Sequence, residues 1–165
     1  MENRSIKQIY ETLERNVLIL IAIPIPFFAV TYLNSLNSTF ALNLPEVPVF
    51  WDSFGLGMVA LILIVHYFIY HSAIKRIHLG NFELQTKLGL YSRATHLRFY
   101  ILFVASLFCA AGLLFFENSG YTIAFAVVLL FFSLGKPSPD RIVRLLKLKG
   151  EEKDKVMELK RRGEI

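Results

Sequence analysis

The chain is poor in cysteine, and over long stretches it lacks charge altogether. Cys109 is the only cysteine in 165 residues. A disulfide framework, a cysteine-based zinc site or a dithiol redox motif needs at least a pair, so one chain can build none of them. Cys109 itself reads as a small, soft packing residue. No Lys, Arg, Asp or Glu occurs in Val17–Leu33, Phe54–Tyr70, Phe99–Phe116 or Tyr121–Leu134. Charged residues make up 19% of the chain and apolar ones 55%, where ordinary soluble domains carry about 25% charged residues. A water-soluble fold of this length has no core large enough to hide four such runs. The expected fold is an all-α integral membrane protein with four transmembrane helices and a cytoplasmic amphipathic helical tail at the C-terminus. The expected division is a four-helix transmembrane domain over residues 1–136, with spans near 17–33, 54–70, 99–116 and 121–134, and a tail over 137–165.

Positive charge is missing from two of the connecting stretches. Asn34–Ser53 holds only the acids Glu46 and Asp52, and Glu117–Gly120 holds only Glu117. All 18 basic residues fall elsewhere: Arg4, Lys7 and Arg15 before the first run, Lys75, Arg76, Lys87, Arg93 and Arg98 after the second, and the rest from Lys136 to Arg162. With four spans these three regions share one side, which the positive-inside rule makes cytoplasmic. Both termini are therefore expected in the cytoplasm, and the chain in a cell (inner) membrane. The net charge of +5 and the pI near 9.4 follow from that orientation and from attraction to anionic lipid. Membrane lipids are an expected partner and nucleic acid is not. A signal peptide is the rival reading of the first run, but Ala29-Val-Thr-Tyr-Leu-Asn ends in large residues where a peptidase needs small ones.

Local signals refine this outline. Ser5 and Gln8 have capping-box spacing, and Ile6, Ile9, Tyr10 and Leu13 recur at helical spacing before the first run. Glu11 and Arg15 stand four apart, as a weak helical ion pair requires. Pro24 and Pro26 remove two amide donors inside that run, freeing the carbonyls of Leu20 and Ala22, so a kink is expected. The kink is read as packing against neighbours; the alternative is carbonyls lining an ion path. The second helix is expected to start near Gly55 and Gly57, with Phe50 and Trp51 as an aromatic belt. It should run to about His78 and stop at Gly80-Asn81. A connector then leads to Tyr91, with Ser92 as cap of the third helix. Ala105, Ser106, Cys109 and Gly112 form a small-residue stripe, the expected helix-packing face. The turn Glu117–Gly120 forces an antiparallel hairpin. In the tail, Ser138-Pro139 reads as N-cap and first helical position. Ile142, Val143, Leu145 and Leu146 then oppose Arg141, Arg144 and Lys147. Gly150 is expected to interrupt this helix before a second, highly charged one with i,i+4 pairs at Glu151/Lys155 and Glu158/Arg162.

Little in the chain reads as chemistry. His66, near Tyr70, is the one ionisable residue within a run apart from tyrosines; intramembrane ionisable groups are candidate functional sites. It reads as a packing histidine, with proton relay or pH sensing as the alternative. His71 and His78, with Lys75 between them, lie about 10.5 Å apart along a helix, too far to share one metal ion. Asn37-Ser38-Thr39 fits a glycosylation sequon that only a eukaryotic secretory chain would use. Nucleotide, hydrolase and zinc-protease motifs are absent from the sequence. Arg76, Glu83, Arg93 and His96 have no recognisable catalytic spacing. The expectation is a non-enzymatic adaptor, assembly factor or regulator, without metal or cofactor. The tail 137–165, with Arg141, Arg144 and Lys147, would dock on lipid or on a protein partner. The alternatives are an oligomeric channel or transport protein and, behind that, a membrane enzyme. Self-association is compatible with each.

The charge pattern makes a direct prediction. Cysteines introduced at Ser38 and Ser138 should label oppositely with an impermeant thiol reagent in intact cells, Ser38→Cys from outside and Ser138→Cys only after permeabilisation. Labelling of Ser138→Cys in intact cells would reverse the topology.

Overall fold

The computed structural model describes residues 6–37, 45 and 47–162, with side chains as far as Leu159. The Ser5 cap, the Ser38-Thr39 half of the sequon, Glu46 and the side chain of Arg162 lie outside them. The described residues form seven helices and no strand: α1 (Ile6–Ala22), α2 (Pro24–Asn37), α3 (Val49–Leu79), α4 (Leu84–Phe116), α5 (Gly120–Gly135), α6 (Pro139–Leu146) and α7 (Gly150–Arg162). Three rods are long and apolar enough to cross a membrane: α1 with α2, α3, and α4. A fourth is obtained only by joining α5 to α6, which are bent 84° apart.

Each rod buries a narrow stripe. In α3 the buried side chains are Val59, Leu63, His66, Tyr70, Ile74 and Ile77, at steps of three and four that keep them on one face. In α5 they are Tyr121, Phe125, Val128, Phe132 and Gly135, again one face. In α1 they are Leu13, Val17 and Leu20. Only α4 is buried broadly: 44% of its most apolar window is enclosed, against 22% for α3. It packs against α1, α2, α3 and α5 and so forms the centre. Large apolar side chains elsewhere face outward around the bundle, among them Ile25, Val30, Leu61, Ile64, Phe68 and Ile123. Such a contiguous exposed apolar surface is foreign to a monomer in water.

Several boundaries differ from the sequence reading. The second long helix starts at Val49, with Pro48 at its N-cap. Pro48 has no amide to lose and can precede a first turn at no cost, so Phe50 and Trp51 are helical. The third starts at Leu84, not near Ser92, and the connector shrinks to Gly80–Glu83. The reason lies in a stripe that continues the helix: Leu84, Leu88, Tyr91, Thr95 and Arg98 are all buried at steps of four and three. Glu11 pairs with Lys7, at 3.5 Å. The prolines break the first rod at one residue, Ile23, whose amide still reaches the Ile19 carbonyl at 3.2 Å. Pro24 and Pro26 fall in the first turn of α2, where missing amide donors cost least.

The tail follows its cap signal. Ser138 Oγ accepts from the Arg141 amide at 3.3 Å, and Pro139 opens α6. The interruption comes before Gly150: Lys147 takes a left-handed conformation with φ 49°, and its amide closes on the Val143 carbonyl. Gly150, with φ 54°, instead opens α7. Ile142, Leu146, Leu148 and Val156 are buried. α6 packs on the far end of α3 and on α7, and Lys87 Nζ of α4 holds Glu152 of α7 at 3.1 Å.

The tightest seam in the bundle lies at Gly112. A Cβ there would sit 2.2 Å from the ring of Tyr121, whose hydroxyl in turn occupies the space beside Gly55. Gly112→Ala should therefore lower stability by about 1–3 kcal/mol, the usual penalty of an overpacked core, measured as thermal unfolding of the detergent-solubilised chain. Gly57→Ala, which meets open space, should leave it unchanged or raise it.

Candidate functional site

The two ends of the bundle hold different polar chemistry. At the end of the α4–α5 turn, Asn118 Nδ2 donates to Asp52 Oδ2 at 2.6 Å, and the Gly120 amide donates to Asn118 Oδ1 at 2.8 Å. The Tyr121 hydroxyl donates to the Asp52 carbonyl at 3.0 Å. Glu117 supplies the left-handed residue that ends α4. These contacts tie α3 to the turn and give Asp52 a structural partner.

The opposite end carries the basic residues and a buried polar cluster. Tyr70 comes from α3; Tyr91, Thr95 and Arg98 from α4; Arg141 from α6. Arg98 is only 7% exposed. Its Nη2 donates to the Phe131 carbonyl at 3.3 Å, and its guanidinium carbon lies 4.6 Å from the centre of the Tyr70 ring. Gly135 makes room for it, since a Cβ there would stand 3.3 Å from that carbon. Tyr91 lies within electrostatic reach of Tyr70 and Arg141, and Arg98 of all three. Among the described residues the Tyr70 and Tyr91 hydroxyls, Thr95 Oγ1 and the Nε of Arg98 and Arg141 are buried without a hydrogen-bond partner. Arg141 also lines a cleft of about 630 Å³, with Tyr10, Glu14, Lys136, Asp140 and Arg144.

The residues singled out by sequence fall as follows. His66 is buried in α3; its Nδ1 bonds the Leu63 carbonyl, its ring meets Phe131 edge-on at 4.8 Å, and Nε2 has no partner. Tyr70 sits one turn further on, under Arg98. Pro24 is buried and Pro26 exposed, far along the chain from this cluster. Ala105, Ser106, Cys109 and Gly112 are all enclosed in α4, and the Ser106 hydroxyl donates to the Phe103 carbonyl at 2.6 Å. Arg141 is half-buried, whereas Arg144 and Lys147 are exposed. His71, Lys75, Arg76 and His78 are exposed on α3, and Glu83, the N-cap of α4, and Arg93 within α4 are exposed too. His96 instead joins α4 to α1. Its Nδ1 donates to the Ser92 carbonyl at 2.9 Å, so Nε2 accepts from Asn16 Nδ2 at 3.2 Å. Among the described residues no three His, Cys, Asp or Glu side chains converge as metal ligands.

Sequence reasoning missed Tyr91, Thr95 and Arg98 as a group. A signal for them exists: steps of four and three place them on one face of α4, in line with Leu88 and Leu102. The asparagines Asn16 and Asn118 carried no signal, because their partners lie 80 and 66 positions away. Chemically, the cluster offers hydroxyl and guanidinium donors, a set suited to holding negative charge rather than to nucleophilic or acid–base work. A second feature, an apolar groove of about 620 Å³ between α3 and α5, is lined by Leu56, Val59, Ile64, Tyr67, Ile123 and Val127 among others. Compared with protein-family models, with curated proteins and with solved structures, the chain has no match in any of the three.

Proposed function

We propose that the chain is a multi-pass protein of a cell (inner) membrane, crossing it four times with both termini cytoplasmic. It acts there as a non-catalytic adaptor, assembly factor or regulator that presents α6–α7 to a protein partner. The outward apolar belt supports the membrane placement, as does the confinement of basic residues to one end of the bundle. The 84° bend between α5 and α6 supports it too: if α5 crosses the bilayer, α6 lies along its surface. At 16 residues, α5 covers about 24 Å, short of a full hydrocarbon core, and Lys136 would snorkel at its end.

The observation that carries the adaptor reading is the docked tail. α6 and α7 turn Ile142, Leu146, Leu148 and Val156 inward and leave Arg144, Lys147 and Lys149 exposed. A segment too short to fold alone is thus held on its own bundle with a charged face outward, as a binding platform needs. An oligomeric channel is the competing reading, through the broken first rod and His66.

Crosslinking and pull-down of the full chain from native membranes separates the two. The adaptor reading expects a second protein, lost when Arg144 and Lys147 are both changed to Glu, and no ion flux from liposomes carrying the purified chain. A ring of identical chains with measurable flux, and no second protein, would favour the channel and overturn the adaptor.

A further inference from the structure

We propose that the basic end of the bundle is a binding site for a phosphate group, with Arg98 and Arg141 as its charged ligands and Tyr70, Tyr91 and Thr95 as hydroxyl donors. Such a group comes either from a phospholipid head group or from a soluble phosphate. The first reason is a missing counter-charge. Arg98 is almost wholly enclosed, and the titratable groups within electrostatic reach of it are Tyr70, Tyr91, Arg141 and His66, none of them a carboxylate. A buried guanidinium without an opposing charge is strongly disfavoured, and a second arginine nearby makes it worse. The Phe131 carbonyl and the Tyr70 ring supply partial negative charge only.

The second reason is the set of unmatched atoms. The Tyr70 and Tyr91 hydroxyls and Thr95 Oγ1 make no hydrogen bond of good geometry and have only one another and Arg98 close enough to serve, while the Nε of both arginines has no partner. They come from three helices, and electrostatic coupling links Arg98 and Tyr91 to each other, to Tyr70 and to Arg141. Buried donors in native proteins are matched. A tetrahedral phosphate offers several acceptor oxygens and suits the planar fork of arginine, whereas a carboxylate has fewer oxygens to share among so many donors.

The third reason is access. Arg141 faces both the cluster and the cleft of about 630 Å³. The cleft sets Lys136, Arg141 and Arg144 against Glu14 and Asp140, so its lining is net positive, and Arg141 is the one member of the cluster that reaches it. Lys136 follows directly after the fourth apolar run, which in the placement proposed above is head-group level. That placement bears only on the source of the phosphate; a soluble phosphate would bind the same atoms in detergent. A bound phosphate would also join α4 to α6 and cancel the repulsion between Arg98 and Arg141, fastening the tail to the bundle.

Native mass spectrometry and thermal unfolding of the delipidated full chain in detergent test this, with phosphatidylglycerol, phosphatidylcholine or inorganic phosphate added at constant ionic strength. The expected result is retained ligand and a raised Tm, with apparent affinity about tenfold weaker or more in R141Q, the effect of losing one charge-assisted contact. Tyr91→Phe, which removes one hydroxyl and keeps the ring, should weaken binding without preventing folding, and it stands in for R98Q if that variant is unstable. Binding of phosphatidylglycerol over phosphatidylcholine marks an anionic lipid, equal binding of both marks the phosphodiester itself, and binding of inorganic phosphate marks a soluble source. Absence of binding by all three overturns the site. So does binding unchanged in both R141Q and Tyr91→Phe, which would leave Arg98 as a cap for the last carbonyls of α5. Failure to recover a protein partner from membranes would not affect any of these outcomes.

Discussion

The close packing of other helices against α4 is the contact on which the remaining structure depends. α1, α2, α3 and α5 all reach it, and one helix can meet four neighbours only if its own side chains leave room. Ala105, Ser106, Cys109, Ala110 and Gly112 provide that room in the middle of the bundle, where every methylene added would hold a neighbour further off. Tyr121 uses it most fully, with its ring over Gly112 and its hydroxyl on the Asp52 carbonyl. Aromatic stacking continues the seam, with Phe28 on Phe125 and Phe99 beside Phe132. Where α4 passes beyond Phe99 the stripe changes from small and apolar to Arg98, Thr95 and Tyr91, and the chemistry of the molecule changes with it.

The two ends of the bundle are consequently unequal. Around Asp52, Asn118 and Tyr121 most polar groups find partners within the chain, Asp52 Oδ1 being the exception. Around Arg98 the donors outnumber the acceptors, and α6 is laid across the opening. That imbalance is costly for a chain to keep with nothing to offset it, and it is placed where α3, α4 and α6 meet. Arg144 is exposed on the same helix whose Arg141 is half-buried, and Lys147, exposed too, caps that helix.

Much of the fold was legible in the residues. The uncharged runs, the basic residues confined to three regions, the Ser138-Pro139 start and the small-residue stripe depend on local sequence, and local sequence is what periodicity reads. The start of α4 was not legible, because the stretch around Lys87 looks like an exposed connector until Leu84, Leu88 and Tyr91 find α3 to pack against. The same holds for the tail: its amphipathic pattern announces a buried face, but nothing in it says that its own α3 and α4 supply the surface. In the sequence Arg98 reads as a topology-setting charge, because an arginine beside an apolar run usually faces water. Gly135, 37 residues later, eases its burial, since a side chain there would press on both Phe99 and Arg98. Asn16 and His96 met for a similar reason, across a separation that no short-range signal spans.

The central claim, that α6 closes the basic end of a bundle built on α4, is tested most directly by amide hydrogen exchange of the full chain in a lipid bilayer. The account predicts that the amides of Ile142–Leu146 exchange far more slowly than those of a free peptide of residues 137–165, and that replacing Ile142 and Leu146 with Ser abolishes the difference. Exchange at the rate of the free peptide in the unmodified chain would contradict it.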